Sequence, residues 1–143
     1  MAKQLLTEVP NNVMATVTSL KNHKVIADKC YVAESFLDRL RGLIGKSRLN
    51  SGEGMFFPRC NDIHMWFMRI PIDVVFVRPT TVDQGHTYDA EKVRTYEVTR
   101  FCESLKPWKL LPVRSGRATE TIELPVGTIQ GCDIRLGDRL CIS

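Results

Sequence analysis

Only one segment of the sequence spaces its apolar residues as an α-helix does. Ser35 can cap the free backbone donors at its start, with Asp38 three residues later, and Gly45 suits the left-handed residue that commonly ends a helix. A helix this short is not stable alone, so it must pack on something larger. In this sequence that can only be a sheet. We therefore predict one main helix, residues 35–45, lying against a sheet.

The rest of the chain consists of short runs with strand composition, separated by turn residues. These runs are Val13 to Leu20, Lys24 to Val32, Met55 to Phe57, Asp62 to Arg69, Ile72 to Val77, Lys92 to Phe101, Thr119 to Leu124, and Asp133 to Ile142 with a bulge or bend at Gly137-Asp138. A parallel α/β sheet would need more helices. The pattern predicts a β-rich α+β fold, in which a curled or partly closed antiparallel or mixed barrel-like sheet of about seven strands carries the helix.

The length of 143 residues matches one ordinary domain. We predict a flexible N-terminal tail at residues 1–12 and a single β-rich domain at residues 13–143. No run approaches the roughly 18 apolar residues of a membrane span, and the first twelve residues contain no apolar stretch of signal-peptide length. These features predict a cytoplasmic protein that makes no use of a membrane.

The cysteines support the same compartment. There are five of them, an odd number, and no two have C-x-x-C or zinc-finger spacing. Several lie in apolar strand-like contexts, where a reduced cysteine behaves as a small hydrophobe. We expect free thiols in a reducing compartment.

The formal net charge of +4 is concentrated in the first 50 residues. A nucleic-acid footprint normally shows as a dense basic stripe or a recognised motif, and neither is visible, so nucleic acid is not the expected partner. Weak binding through the basic N-terminal half is a third hypothesis, and it predicts a strong dependence on salt. The residues concerned are Lys21, Lys24, Lys29, Arg41, Lys46 and Arg48.

Several short motifs occur in one order along the chain. They are Asp38-Arg39 with Arg41 to Ile44, Gly54 to Phe57, Ile63 to Met65, Met68 to Phe76, Pro107-Trp108, Ile122 to Pro125 with Gly127, and Gly137-Asp138. In these motifs the sequence resembles the uncharacterised family named domain of unknown function 192. The resemblance implies a small single-domain barrel-like fold with one helix, and it implies no established substrate, reaction or cofactor.

Asp73 most needs an explanation among the polar residues. In a strand it shares a face with Val75 and Val77, and a carboxylate on an apolar face is costly unless it is paired or hydrogen-bonded. A pair with Arg69 or Arg39 would be a structural clamp, which is the simpler interpretation. A pair with His64 could instead transfer protons near neutral pH.

His64 also lies near soft metal ligands, since Cys60, Met65 and Met68 would suit copper(I). In a continuous strand, however, His64 and Met68 would stand roughly 13 Å apart, and Met65 would point to the opposite face. We therefore expect no metal and no cofactor.

Glu123 alternates with Ile122 and Leu124, so it would usually be a solvated strand position. If its face is concave, it joins the other polar residues in a patch. No phosphate-binding loop, nucleophile elbow or zinc-protease motif occurs. The leading hypothesis is thus a non-enzymatic binding or accessory module for a small polar ligand. Its shallow concave site near the helix would draw on His64, Arg69, Asp73, Glu123, Trp66 and Arg39.

The alternative hypothesis is a hydrolase-like enzyme that uses His64 with Asp73. It differs from the binding module in requiring His64 to be accessible to solvent. The sequence alone leaves both hypotheses open.

Overall fold

The computed structural model describes residues 13–33, 48–63, 65, 68–80, 93–107 and 111–143. The predicted tail at residues 1–12 and the predicted helix at residues 35–45 lie outside the described residues. The described elements are strands β1 (Met14–Ser19), β2 (Val25–Val32), β3 (Glu53–Phe57), β4 (Asp62–Ile63), β5 (Ile72–Pro79), β6 (Arg94–Leu105), β7 (Val113–Arg114), β8 (Glu120–Leu124) and β9 (Arg139–Ile142), and helix α1 (Thr128–Gly131).

Seven of these strands close into a barrel in the order β1-β2-β3-β8-β5-β6-β9, and β4 and β7 form a separate two-stranded sheet. The barrel is mixed, because β2 and β3 run parallel while the other neighbouring strands are antiparallel. Among the described residues there is one short helix. The predicted fold class, a β-rich α+β barrel, is confirmed.

The barrel is packed on its inside and partly covered on its outside. Interior side chains come from every barrel strand, and Ile129 of α1 joins them, so the helix covers one end of the barrel. A second cluster lies outside the barrel and contains Met65, Met68, Val74 and Phe76. A strand between two such layers is apolar on both faces. This explains why every residue of β5 from 72 to 77 is buried.

The predicted strand from Asp62 to Arg69 is wrong. Strand β4 has only two residues, and no strand continues through the described residues Met65 and 68–70. Instead, the Met68 amide donates to the Met65 carbonyl at 3.3 Å, as in a turn. Both side chains point into the same outer cluster. The strand spacing that placed Met65 and Met68 on opposite faces therefore does not apply.

The predicted strand from Asp133 to Ile142 is too long at its N-terminal end, since β9 begins at Arg139. Residues 133–138 form turns, and Gly137 has a φ of 82°, which favours glycine. Gly137 donates to the carbonyl of Val98, and Val98 donates to the carbonyl of Asp138. These turns are thereby fixed to β6.

None of the helices within the described ranges has both the length and the apolar character required to cross a bilayer.

Candidate functional site

A cleft of about 700 Å³ opens beside α1. Three segments that are distant in sequence form its walls: the first half of β2, the turn before β3, and the segment that follows β8 and contains α1. The residues that line it are Val25, Ile26, Asp28, Leu49, Ser51, Gly52, Pro125, Val126, Gly127, Thr128, Gly131 and Cys132. We call it the α1 cleft.

A register shift in β2 places Asp28 in the α1 cleft. Ala15 pairs with Cys30 and Val17 pairs with Ala27, so two steps along β1 correspond to three along β2. Such a bulge breaks the alternation of faces and re-aims a side chain. Asp28 and the residue after it are accordingly both exposed.

The turn before β3 packs directly against Asp28. Gly52 has a φ of 83°, and a Cβ at this position would collide with the Asp28 carboxylate. The carbonyl of Gly52 accepts a hydrogen bond of 2.9 Å from the Lys29 amide. The left-handed backbone favours glycine at this position, and the absence of a Cβ leaves room for the Asp28 carboxylate.

The opposite wall is a tight turn followed by α1. The Thr128 hydroxyl donates to the Pro125 carbonyl at 2.7 Å, and Gly127 enters the helix with a φ of 90°. The Cys132 amide donates to the Thr128 carbonyl at 2.9 Å. This wall is thus held by local hydrogen bonds.

Asp73 anchors the same wall from behind. Its side chain is fully buried and lies on the interior face of β5, as predicted from Val75 and Val77. One carboxylate oxygen accepts from the Ser104 amide at 2.9 Å. The other accepts from the amides of Gly127 at 3.1 Å and Ile129 at 3.0 Å.

The expected partner of Asp73 was a cation or an imidazole. In the described part of the chain its recorded partners are instead three backbone amides. Amide donors at the start of a helical turn stabilise a carboxylate without a counter-charge. Asp73 thus acts as a structural clamp, but it clamps β5 to α1 and to the end of β6 through backbone amides. Arg69, one of the expected partners, is exposed.

Glu123 lies on the opposite face of the sheet. Its cross-strand neighbours are Met55 on β3 and Val74 on β5, and both belong to the outer cluster or pack against it. The expected solvated position is wrong, because the Glu123 side chain is only 8% exposed. One of its carboxyl oxygens is buried and has no hydrogen-bond partner among the described residues. Burial raises the pKa of Glu123 to about 8.

The predicted concave site is therefore not assembled as one surface in the described residues. Asp73 and Glu123 are both buried, and they lie on opposite faces of the barrel wall. His64, Trp66 and Arg39 lie outside the described residues. The α1 cleft is a different site, and Asp73 contributes to it only by holding its wall.

Two of the basic residues of the N-terminal half have partners on the protein itself. The Lys21 amine bonds the Asp138 carboxylate at 2.9 Å and the Asp133 carboxylate at 3.4 Å. The hydrogen bond to Asp138 raises the pKa of Lys21 above its ordinary value. The Lys24 amine donates to the Gly131 carbonyl at 3.2 Å. Lys29 and Arg48 are exposed, whereas Arg41 and Lys46 lie outside the described residues, so weak nucleic-acid binding stays a prediction.

The chemical groups of the α1 cleft suit binding better than covalent chemistry. Burial raises the pKa of the Cys132 thiol, although the nearby Lys24 charge opposes this effect. A raised pKa keeps a thiol protonated and a poor nucleophile. The described residues that line the cleft include no histidine that could serve as a base.

A sequence signal for this site did exist. In β2 the polar residues Asp28 and Lys29 follow one another where strict alternation would place only one on the surface. Consecutive exposed positions in a strand are typical of a bulge, and bulges are frequent beside binding sites. The other two walls carry no such signal, because they approach β2 only in the folded protein.

The closed mixed barrel with a cleft beside its short helix defines a class of small barrel proteins. The chain belongs to the DUF192 family, described as "Uncharacterized ACR", which matches residues 16–142. The UPF0127 protein of Thermococcus sibiricus is 30% identical over an alignment of 121 residues, which covers 82% of this chain and 68% of that protein. The family resemblance predicted from the sequence is confirmed.

Two crystal structures share the fold, each with a TM-score of 0.67. A protein of unknown function from Novosphingobium aromaticivorans is 22% identical, with 89% of this chain and 82% of that chain covered. A protein from Sinorhizobium meliloti, described as a candidate transcription regulator, is 18% identical, with 88% and 89% covered. At these identities the likeness concerns the fold alone.

Proposed function

We propose that this protein is a cytoplasmic, non-enzymatic binding module that holds a small polar ligand in the α1 cleft. The observation that carries the proposal is the cleft itself, whose walls are held by hydrogen bonds within the protein. Its volume of about 700 Å³ falls within the range of small-molecule sites. The five cysteines form no disulfide with one another, which supports a reducing compartment.

The lining supports a ligand that is polar in one part and apolar in another. Val25 is 55% exposed and Val126 is 46% exposed, so a ligand could cover apolar surface that now faces water. Asp28 and Ser51 offer polar contacts beside them. The protonated Cys132 thiol favours binding over catalysis.

The hydrolase-like alternative has less support. Both oxygens of the Asp73 carboxylate already accept hydrogen bonds from backbone amides, so this carboxylate serves the fold. A residue that orients a catalytic histidine needs an oxygen directed at the imidazole. We therefore place Asp73 among the positioning residues of the cleft.

Two glycine substitutions form a matched test of the cleft. Gly131 lines the cleft and Gly116 does not, and an added Cβ at either position meets no atom within 4 Å. Gly131→Trp should fill the cleft, whereas Gly116→Trp should add the same side chain elsewhere. Saturation-transfer NMR with a library of small polar and amphipathic molecules should detect binders of the parent protein and of Gly116→Trp. For Gly131→Trp we expect at least tenfold weaker binding.

The proposal also requires that the binders survive unchanged. Mass spectrometry after prolonged incubation should recover each bound molecule intact. Equal binding by both variants, absence of any binder, or conversion of a bound molecule would contradict the proposal.

A further inference from the structure

Asp28 is the one charged residue among the described residues that line the α1 cleft. Its side chain is exposed, and within the described part of the chain no hydrogen bond or ion pair to it is recorded. The nearby Lys24 amine donates to the Gly131 carbonyl and not to this carboxylate. A carboxylate without protein donors can accept several hydrogen bonds from a ligand.

The bulge in β2 and the glycine at position 52 together bring this carboxylate to the cleft. One oxygen of the Asp28 carboxylate occupies the space that a Cβ of residue 52 would take, so the side chain lies against the turn before β3. The arrangement presents a charged acceptor beside apolar walls.

We infer that the α1 cleft selects small organic cations that carry an apolar portion, with Asp28 as the residue that recognises the cationic group. This inference rests on the proposed function, since it names the ligand class of the same cleft. A primary ammonium supplies three donors and a positive charge, which match a carboxylate with free acceptor positions. The apolar portion would cover Val25 and Val126. An anionic ligand of the same size would be repelled.

Three six-carbon probes with different polar groups test the inference: hexylamine, 1-hexanol and hexanoate. At pH 7 the amine is a cation, the alcohol is neutral and the acid is an anion. By protein-observed NMR titration we expect hexylamine to bind the parent protein at least tenfold more tightly than 1-hexanol, and hexanoate to bind most weakly.

The variants separate the role of Asp28 from general attraction of cations. Asp28→Asn keeps the shape of the side chain and should remove the preference for the amine, leaving the affinity for 1-hexanol within twofold of the parent value. Asp62→Asn removes a similar charge on β4, outside the cleft, and should leave the preference intact.

The outcomes also distinguish this inference from the proposed function. If 1-hexanol or hexanoate binds as tightly as hexylamine, or if Asp28→Asn retains the preference, the ligand class is wrong while the cleft remains a binding site. If no probe binds the parent protein, the inference fails. If, in addition, the library yields no binder that Gly131→Trp excludes, the proposed function fails with it.

Discussion

Replacement of Asp73 by alanine is expected to lower the free energy of unfolding by about 3 kcal/mol or more. The substitution leaves the amides of Ser104, Gly127 and Ile129 without their acceptor. An unsatisfied buried donor costs about 1–3 kcal/mol, and hydrogen bonds to a charged group lie at the upper end. Urea unfolding followed by circular dichroism measures the loss.

Two further variants make this experiment decisive. Asp73→Asn keeps one acceptor oxygen and the shape of the side chain, so we expect a loss of about 2 kcal/mol even if the alanine variant does not fold. Asp62→Ala is the matched control, since it removes a carboxylate that bonds Arg114 at 3.1 Å on the surface. Exposed pairs of this kind contribute about 0–1 kcal/mol. Equal stability of Asp73→Ala and Asp62→Ala would contradict the anchoring role.

The anchor should also affect binding. Gly127 lines the α1 cleft and Ile129 lies in helix α1. The Asp73 carboxylate accepts hydrogen bonds from both of their amides. In the absence of urea, the Asp73→Asn variant should therefore bind cleft ligands more weakly than the Asp62→Asn variant does. This effect would appear without any contact between Asp73 and the ligand.

The second large effect concerns Glu123 and pH. The pKa of Glu123 is about 8 in the folded protein and near its ordinary value of 4.5 when the chain is unfolded. Below pH 4.5 the Glu123 carboxyl is protonated in both the folded and the unfolded protein. Between pH 4.5 and about 8 it ionises only in the unfolded protein. The contribution of Glu123 to stability is thus fully present below 4.5 and is lost as pH rises to about 8. At about 1.4 kcal/mol for each tenfold change in proton affinity, the loss is on the order of 5 kcal/mol.

Glu123→Gln tests this prediction, because glutamine has the same shape and does not ionise. Its stability should match that of the parent protein near pH 4.5 and should exceed it by several kcal/mol at pH 8.5. Urea unfolding at half-unit intervals of pH gives both curves. Parallel curves across this range would show that Glu123 does not carry a raised pKa.

Other groups change protonation in the same experiment, and the comparison separates them. Burial also raises the pKa of Glu120, which weakens the fold in the same direction, but this residue is present in both proteins. Burial raises the pKa of Cys30 to about 12 from 9.0, so its effect begins only above the measured range. Glu97→Gln, at an exposed pair with Arg78, is the control for a change of glutamate to glutamine at the surface.

The barrel could be predicted from the sequence because its signal is local. Alternation in β1, the strand composition of β2, the proline-marked start of β5 and the break after Leu105 all appear in short windows. Helix α1 could not be predicted in this way, since four residues show no helical period. Its first turn is fixed by Asp73, which lies more than fifty residues earlier in the chain.

The prediction that Glu123 is exposed to solvent was wrong for a similar reason. Alternation with Ile122 and Leu124 correctly puts it on the outer face of the barrel. What alternation does not reveal is that a distant segment with Met65 and Met68 covers that face. The same segment was expected to be a strand because a run of apolar residues looks alike in a strand and in a buried turn.

The order of strands around the barrel bears on how the protein is made. Strand β9 joins β1 to β6, yet it is the last of the described strands to be synthesised. Until β9 leaves the ribosome, the nascent chain has unpaired hydrogen-bonding groups along β1 and β6, the two strands with which β9 later pairs. Such edges readily recruit other chains. Closure of the ring, and with it protection from aggregation, must therefore wait until translation has passed Ile142.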